Sequence, residues 1–149
     1  MNIGDQLPEF YLRNKKGDEI SSRSFVGKSN LVIYFYPKDE TKVCTQQACS
    51  FRDEYETFQQ HDCEVIGVSA DSEDSHRRFS TRHRLPFLLV SDADKSIRRM
   101  FQVPKDVFGL LPGRYTYVFD KEGILVSIFH AAFNARAHID AALEVLGGR

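Results

Sequence analysis

The run Leu31-Val32-Ile33-Tyr34-Phe35-Tyr36 constrains the fold more than any other stretch of the chain. A half-solvated strand alternates apolar and polar side chains, and this run does not. Continuous β-branched, aliphatic and aromatic residues stopped by Pro37 predict a central strand buried on both faces. Such a strand needs a sheet covered on both sides. The 149 residues suffice for one sheet with its helices and are too few for two independent cores, so a single domain over residues 1–149 is expected.

The rest of the chain supplies the remaining layers. Phe10-Tyr11-Leu12, the turn signal Asn14-Lys15-Lys16-Gly17-Asp18 and then Glu19-Ile20 predict an N-terminal β-hairpin. After Pro37 the period changes. Ala48, Phe51, Tyr55 and Phe58 recur at steps of three and four, which predicts one helix from Thr45 to about Gln60. Glu64 to Ser69 is the next strand. Asp71 to Asp74 offers caps for a polar helix running through His83. Pro86 to Val90 reads as a strand, Lys95 to Phe101 as a short helix, and Tyr115 to Phe129 as a hairpin turning at Asp120-Lys121-Glu122-Gly123. Ala135 to Leu146 closes the chain as an amphipathic helix ended by Gly147-Gly148. This order predicts an α/β fold with a mixed central sheet flanked by helices on both faces.

Charge and cysteine content narrow the function. The formal net charge is -1, and the local basic groups His76-Arg77-Arg78 and Arg98-Arg99 have acidic neighbours, so they read as solvated helix faces. No nucleic-acid or anionic-lipid footprint stands out. The longest apolar runs are strand-sized and Met1 to Phe10 lacks the layout of a secretory signal, which predicts a soluble cytoplasmic protein with no membrane partner. Three cysteines do not make the disulfide framework of a secreted scaffold. In a reducing compartment they are catalytic, metal-binding or simply buried.

Cys44 sits where the predicted central strand hands over to the first long helix. Unpaired N–H groups and the positive end of the dipole at a helix N-terminus favour an anion, and thiols there ionise more readily. The thiolate is the form that attacks an O–O bond. Thr41, three residues earlier, can aim a hydroxyl at the sulfur or at a peroxide, and Pro37 can cover the site without adding a donor. Cys49 follows five residues on. Two helical residues at that spacing lie on the order of 8 to 9 Å apart at Cα, beyond the roughly 7 Å limit for a disulfide. A Cys44–Cys49 bond therefore requires the helix to unwind.

Other readings of the cysteines are weaker. A closed zinc site needs four ligands, usually as two close pairs, and no second pair accompanies Cys44 and Cys49. Cys63, just ahead of a strand, reads as a structural thiol. Gly27-Lys28-Ser29 lacks the first glycine of a phosphate-binding loop, because Ser22 stands there. Asp92-x-Asp94 lacks the glycine and glutamate of a calcium loop, with Ile97 and Val103 at those places.

Pro37-x₃-Thr41-x₂-Cys44 resembles the active-site signature of peroxiredoxins. The wider stretch Tyr34 to Thr41, Cys44-Thr45, Ala48-Cys49 and Phe51-Arg52-Asp53 is similar to the peroxiredoxin Q, or bacterioferritin comigratory protein, subfamily. The likeness continues through Leu85-Pro86-Phe87 and Leu110-Leu111-Pro112-Gly113-Arg114-x-Thr116-Tyr117-Val118. It implies a thioredoxin-like fold with Cys44 as peroxidatic and Cys49 as resolving cysteine. Thr41, Pro37 and Arg114 complete the implied catalytic set, Arg114 standing in the place of the active-site arginine. The implied cycle reduces hydrogen peroxide and organic hydroperoxides through a Cys44 sulfenic acid and a Cys44–Cys49 disulfide. Thioredoxin or a similar dithiol recycles it, in a monomer, with no metal or other cofactor. Two departures stand out: Lys42-Val43 replaces the usual Pro-Gly, and Gln47 replaces a common glutamate. Two alternatives belong to other classes. One is a redox sensor that uses the Cys44–Cys49 switch without turnover; the other is a disulfide reductase, which the missing Cys-x-x-Cys disfavours.

Overall fold

The structure, a computed structural model, describes residues 1–106 and 111–147. Leu110 and Gly148, both invoked above, lie outside the described residues. The elements run β1 (Tyr11–Arg13), β2 (Glu19–Ser21), a 3₁₀ turn (Ser22–Phe25), β3 (Asn30–Phe35), α1 (Lys42–Asp53), α2 (Tyr55–Gln60), β4 (Cys63–Ser69), α3 (Glu73–His83) and β5 (Leu88–Ser91). There follow α4 (Ser96–Phe101), β6 (Lys105–Asp106), β7 (Leu111–Pro112), β8 (Tyr115–Phe119), β9 (Leu125–His130) and α5 (Ala135–Gly147).

Strand β3 is central, as its run of apolar residues requires. The sheet order is β5-β4-β3-β8-β9, parallel from β5 to β3 and antiparallel from β3 to β9. Alternate β3 side chains feed two separate cores. Val32 and Tyr34, with Tyr36 just beyond, join Phe51 and Phe58 from α1 and α2, Phe79 from α3 and Ile139 from α5. Leu31, Ile33 and Phe35 join Ile97 and Phe101 from α4 with Leu7, Phe10 and Leu12 from the N-terminal segment. Each fully buried aliphatic or aromatic side chain is worth about 1.5–3 kcal/mol, so β3 anchors both layers. The fold is thioredoxin-like, with the mixed sheet and N-terminal hairpin that the sequence predicts.

Three details depart from expectation. The helix predicted from Thr45 to Gln60 is two helices meeting at Glu54, whose φ of -102° and ψ of 7° leave the helical region. Phe51 and Phe58 are seven residues apart, about 10.5 Å along a straight helix; the bend brings their ring centroids to 5.6 Å in one core. The short β6–β7 ladder and the 3₁₀ turn were not legible as periodic patterns, being two and four residues long. Finally, His76 is no solvated face residue: it is 4 % exposed, packed on the inner side of α3 with Phe79.

Candidate active site

The β3–α1 junction positions the site. Pro37 stops the strand, and the loop through Glu40 turns with a positive φ of 66° at that residue. Thr41 is the N-cap of α1 in extended conformation, and its hydroxyl donates to the Lys38 carbonyl at 2.8 Å rather than capping the helix. The first helical hydrogen bond is Thr45 N–H to Thr41 O, at 2.8 Å. The N–H groups of Lys42, Val43 and Cys44 precede it, at the electropositive end of the helix. Cys44 is thus in the first turn, and it is 1 % exposed.

Arg114 reaches Cys44 from the start of β8, seventy residues away in sequence. Its Nη2 donates to Cys44 Sγ at 3.1 Å, its Nη1 to Gln47 Oε1 at 2.6 Å and its Nε to the Ala132 carbonyl at 3.0 Å. Three acceptors in three directions hold the planar fork in place. One of them depends on α5: His138 is fully buried, its ring contacting the Thr116 hydroxyl and the Ala131 carbonyl, each at 2.8 Å, which fixes the turn that carries Ala132. Gly113 matters to the same aim, because a Cβ there would fall on the Pro104 carbonyl oxygen. A guanidinium donating to sulfur beside a helix N-terminus favours the anionic form of a thiol.

Comparisons with known proteins place the chain in a family. Residues 3–128 match the model of the AhpC/TSA family. Chloroplastic peroxiredoxin Q of Populus jackii is 47% identical over 146 residues, covering 98% of this chain and 68% of the relative. That of Sedum lineare is 46% identical over 143 residues, covering 96% and 76%. The chain belongs to the AhpC/TSA peroxiredoxins, in the peroxiredoxin Q subfamily. It is a thiol-dependent peroxidase. Among solved structures, the peroxidoxin BcpB of Mycobacterium tuberculosis superposes with a TM-score of 0.88 at 29% identity, over 99% of this chain and 97% of that one. A cysteine-to-serine mutant of Xylella fastidiosa PrxQ gives 0.88 at 28%, over 99% and 96%. Among the described residues no helix is long and apolar enough to cross a membrane.

Of the residues singled out in the sequence, the peroxiredoxin geometry brings Cys44 and Arg114 into contact. Pro37 and Thr41 lie in the loop that leads to them, and Cys49 lies further along α1, half-buried. All three cysteines are free. Gln47, noted only as a departure from glutamate, is fully buried and shares the Arg114 fork. Its oxygen must face the arginine, which has only donors, so its Nε2 is left as a buried donor with no hydrogen-bond partner among the described residues.

A second buried group ties down the loop, and sequence reasoning missed it. Asp39 accepts from Tyr36 Oη at 2.6 Å and from Ser75 Oγ at 2.8 Å, and its other contact is His76 Nδ1 at 2.7 Å. The far nitrogen of His76 faces the Val90 carbonyl at 3.1 Å. The Asp39 N–H donates to Asp71 Oδ2 at 2.8 Å. Burial alone would raise the Asp39 carboxyl, but the hydrogen bonds from His76 and Tyr36 and the electrostatic attraction of His76 outweigh it and hold the carboxyl below its ordinary range. Asp39, Asp71 and His76 bring ligand-type atoms within 4.8 Å of one another. Those atoms are already engaged with Tyr36, Ser69, Ser75 and each other, so the cluster reads as a fastening between loop and α3. The spacing His76-x-x-Phe79, shared with the buried face of α3, was the available signal.

Proposed function

We propose that Cys44 is the peroxidatic cysteine and Cys49 the resolving cysteine of a thioredoxin-recycled cycle in a cytoplasmic monomer. The observation that carries this reading is the 3.1 Å contact from Arg114 Nη2 to Cys44 Sγ in the first turn of α1. The Cys44 thiolate attacks one peroxide oxygen, and the O–O bond breaks with its electron pair on the leaving oxygen. The peroxide's own proton passes to that oxygen so that an alcohol or water leaves, and a proton from solvent converts the sulfenate to a sulfenic acid. Arg114, already in place, balances the charge that develops on the oxygens. Thr41, whose hydrogen is given to Lys38, keeps its oxygen lone pairs for the substrate O–H. One similar structure, the bacterioferritin comigratory protein of Xanthomonas campestris, is described by its alkyl peroxide reduction activity; it is 31% identical at a TM-score of 0.83, and it supports hydroperoxides of that class as substrates here beside hydrogen peroxide.

Cys44 and Cys49 lie in one unbroken helix, so their disulfide requires α1 to unwind before a dithiol protein can reduce it. Peroxide consumption with thioredoxin, its reductase and NADPH tests the reading. Cys44→Ser is expected to abolish turnover, and Cys49→Ser to oxidise once and stop at the sulfenic acid. Continued turnover by Cys44→Ser would remove Cys44 from its role. Absence of turnover in the wild type would remove thioredoxin as the recycling dithiol.

A further inference from the structure

The second cysteine of α1 meets two groups that the attack on peroxide leaves unused. Cys49 Sγ lies 3.8 Å from Nδ1 of His83, the last residue of α3. Across the ring, His83 Nε2 lies 3.6 Å from Glu40 Oε1, in the loop that leads into α1. The ring is held by its surroundings. Arg52 on α1 donates to the His83 carbonyl at 2.8 Å, and Phe79 meets the imidazole edge-on with centroids 5.1 Å apart. Glu40 is held in turn by Arg82 at 2.8 Å. Thiol, imidazole and carboxylate therefore lie in series, one partner at each ring nitrogen. This is how a nucleophile is activated by a base that a third group orients.

We propose that His83 is a further catalytic residue, the general base that takes the Cys49 proton for disulfide formation, with Glu40 as its positioning residue. This rests on the reading of Cys49 as the resolving cysteine. The Glu40 carboxylate lies on the Nε2 side of the ring and favours the tautomer with its proton there, which leaves the Nδ1 lone pair facing Sγ. The contact exists while α1 is intact, so the proton moves first and unwinding then releases Cys49 as a thiolate. Its sulfur attacks the sulfur of the Cys44 sulfenic acid. The S–S bond forms as the S–O bond breaks, and hydroxide leaves with the electron pair. The proton held by His83 returns through solvent and makes water. Sulfenic acid and thiol become disulfide and water, with no other oxidant or reductant. The charged groups facing the pair are Glu40 from the loop, Arg52 from α1 and Arg82 from α3, and Arg84 follows at the helix end; Arg52 is also engaged by Asp53.

Rapid quenching of the reduced full-length protein after hydrogen peroxide, with mass spectrometry of sulfenic acid and disulfide, tests this. In His83→Gln the conversion of sulfenic acid to the Cys44–Cys49 disulfide is expected to slow about 100-fold near neutral pH. The deficit should shrink in alkali, where hydroxide removes the proton, and added imidazole should restore His83→Ala. Glu40→Gln, an exposed loop substitution that cannot unfold α3, should show a smaller deficit that also closes in alkali. Conversion at the wild-type rate in His83→Gln, or a deficit equal at every pH and deaf to imidazole, overturns the proposal alone. If the wild type forms no Cys44–Cys49 bond, the reading of Cys49 fails and the proposal with it.

Discussion

Cys44 and Cys63 are buried to nearly the same degree, at 1% and 3% exposure, and belong to the same apolar cluster on one side of the sheet. Their electrostatic surroundings are opposite. Cys44 sits in the first turn of α1 and receives an N–H from Arg114. Cys63 opens β4, donates its S–H to the Glu64 carbonyl at 3.4 Å, and is pushed well above the ordinary thiol value by burial and then by the Glu64 carboxylate. Burial excludes water from both sulfurs. The sign of the neighbouring charge is what suits one of them to carry a negative charge.

Removing the charge at Cys44 breaks the comparison most directly. Arg114→Met should slow oxidation of Cys44 by peroxide about 100- to 1000-fold, the usual cost of losing a donor aimed at developing charge. Stopped-flow peroxide consumption reads this, and a loss of less than threefold would mean that the helix terminus alone suffices. Next in size is the labelling contrast. The thiolate fraction falls tenfold for each unit that a pKa rises, so native Cys63 should alkylate at least about 100-fold slower than an unperturbed thiol at neutral pH. Peptide mapping after iodoacetamide checks it; rapid native labelling of Cys63 would show that burial and Glu64 do not control that sulfur.

Asp39→Asn separates placement of the loop from burial of the sulfur. Losing one member of the buried Asp39–His76 pair should cost about 3 kcal/mol of stability at neutral pH. It should also slow Cys44 oxidation about tenfold, through a loosened loop worth about 1.4 kcal/mol, while leaving Cys63 protected. Because the folded-state Asp39 carboxyl lies below its ordinary value, its stabilisation is present above the ordinary carboxylate range and is lost as pH falls through the lowered value. Urea unfolding across the acid range should therefore be flatter for Asp39→Asn than for the wild type.

The smallest effect belongs to Cys63→Ala, expected to retain peroxide turnover and to lose about 1 kcal/mol from the lost packing. Here the sign of the pH dependence reverses. A thiol raised in the folded state stays protonated while the unfolded chain ionises, so wild-type stability falls as pH rises above the ordinary value of 9.0. Cys63→Ala should lack that contribution to the alkaline decline.

Local pattern made much of this legible. The apolar run of β3, the proline that stops it and the helical spacing from Ala48 onward placed Cys44 at a strand-to-helix junction, because strand and helix periods are properties of neighbouring residues. Boundaries shifted by a few residues, and the bend at Glu54 escaped because it answers to the core that Phe51 and Phe58 share. Gln47 was visible only as an unusual residue, and His76 was misread with the arginines beside it, since periodicity shows which face a residue occupies and not what meets it there.

The sequence by itself determined the order of the main strands and helices, the class of sheet and the helix N-terminus that holds Cys44. Only the tertiary structure decided which distant groups meet there. Arg114 reaches Cys44 because β8 pairs antiparallel with β3, with Tyr115 opposite Phe35, which brings the start of β8 beside the end of β3. Asp39 meets His76, and Cys49 meets His83, because α3 packs beside the β3–α1 junction. Strand order and helix packing are sums over many non-local contacts, so no short window of the chain records them.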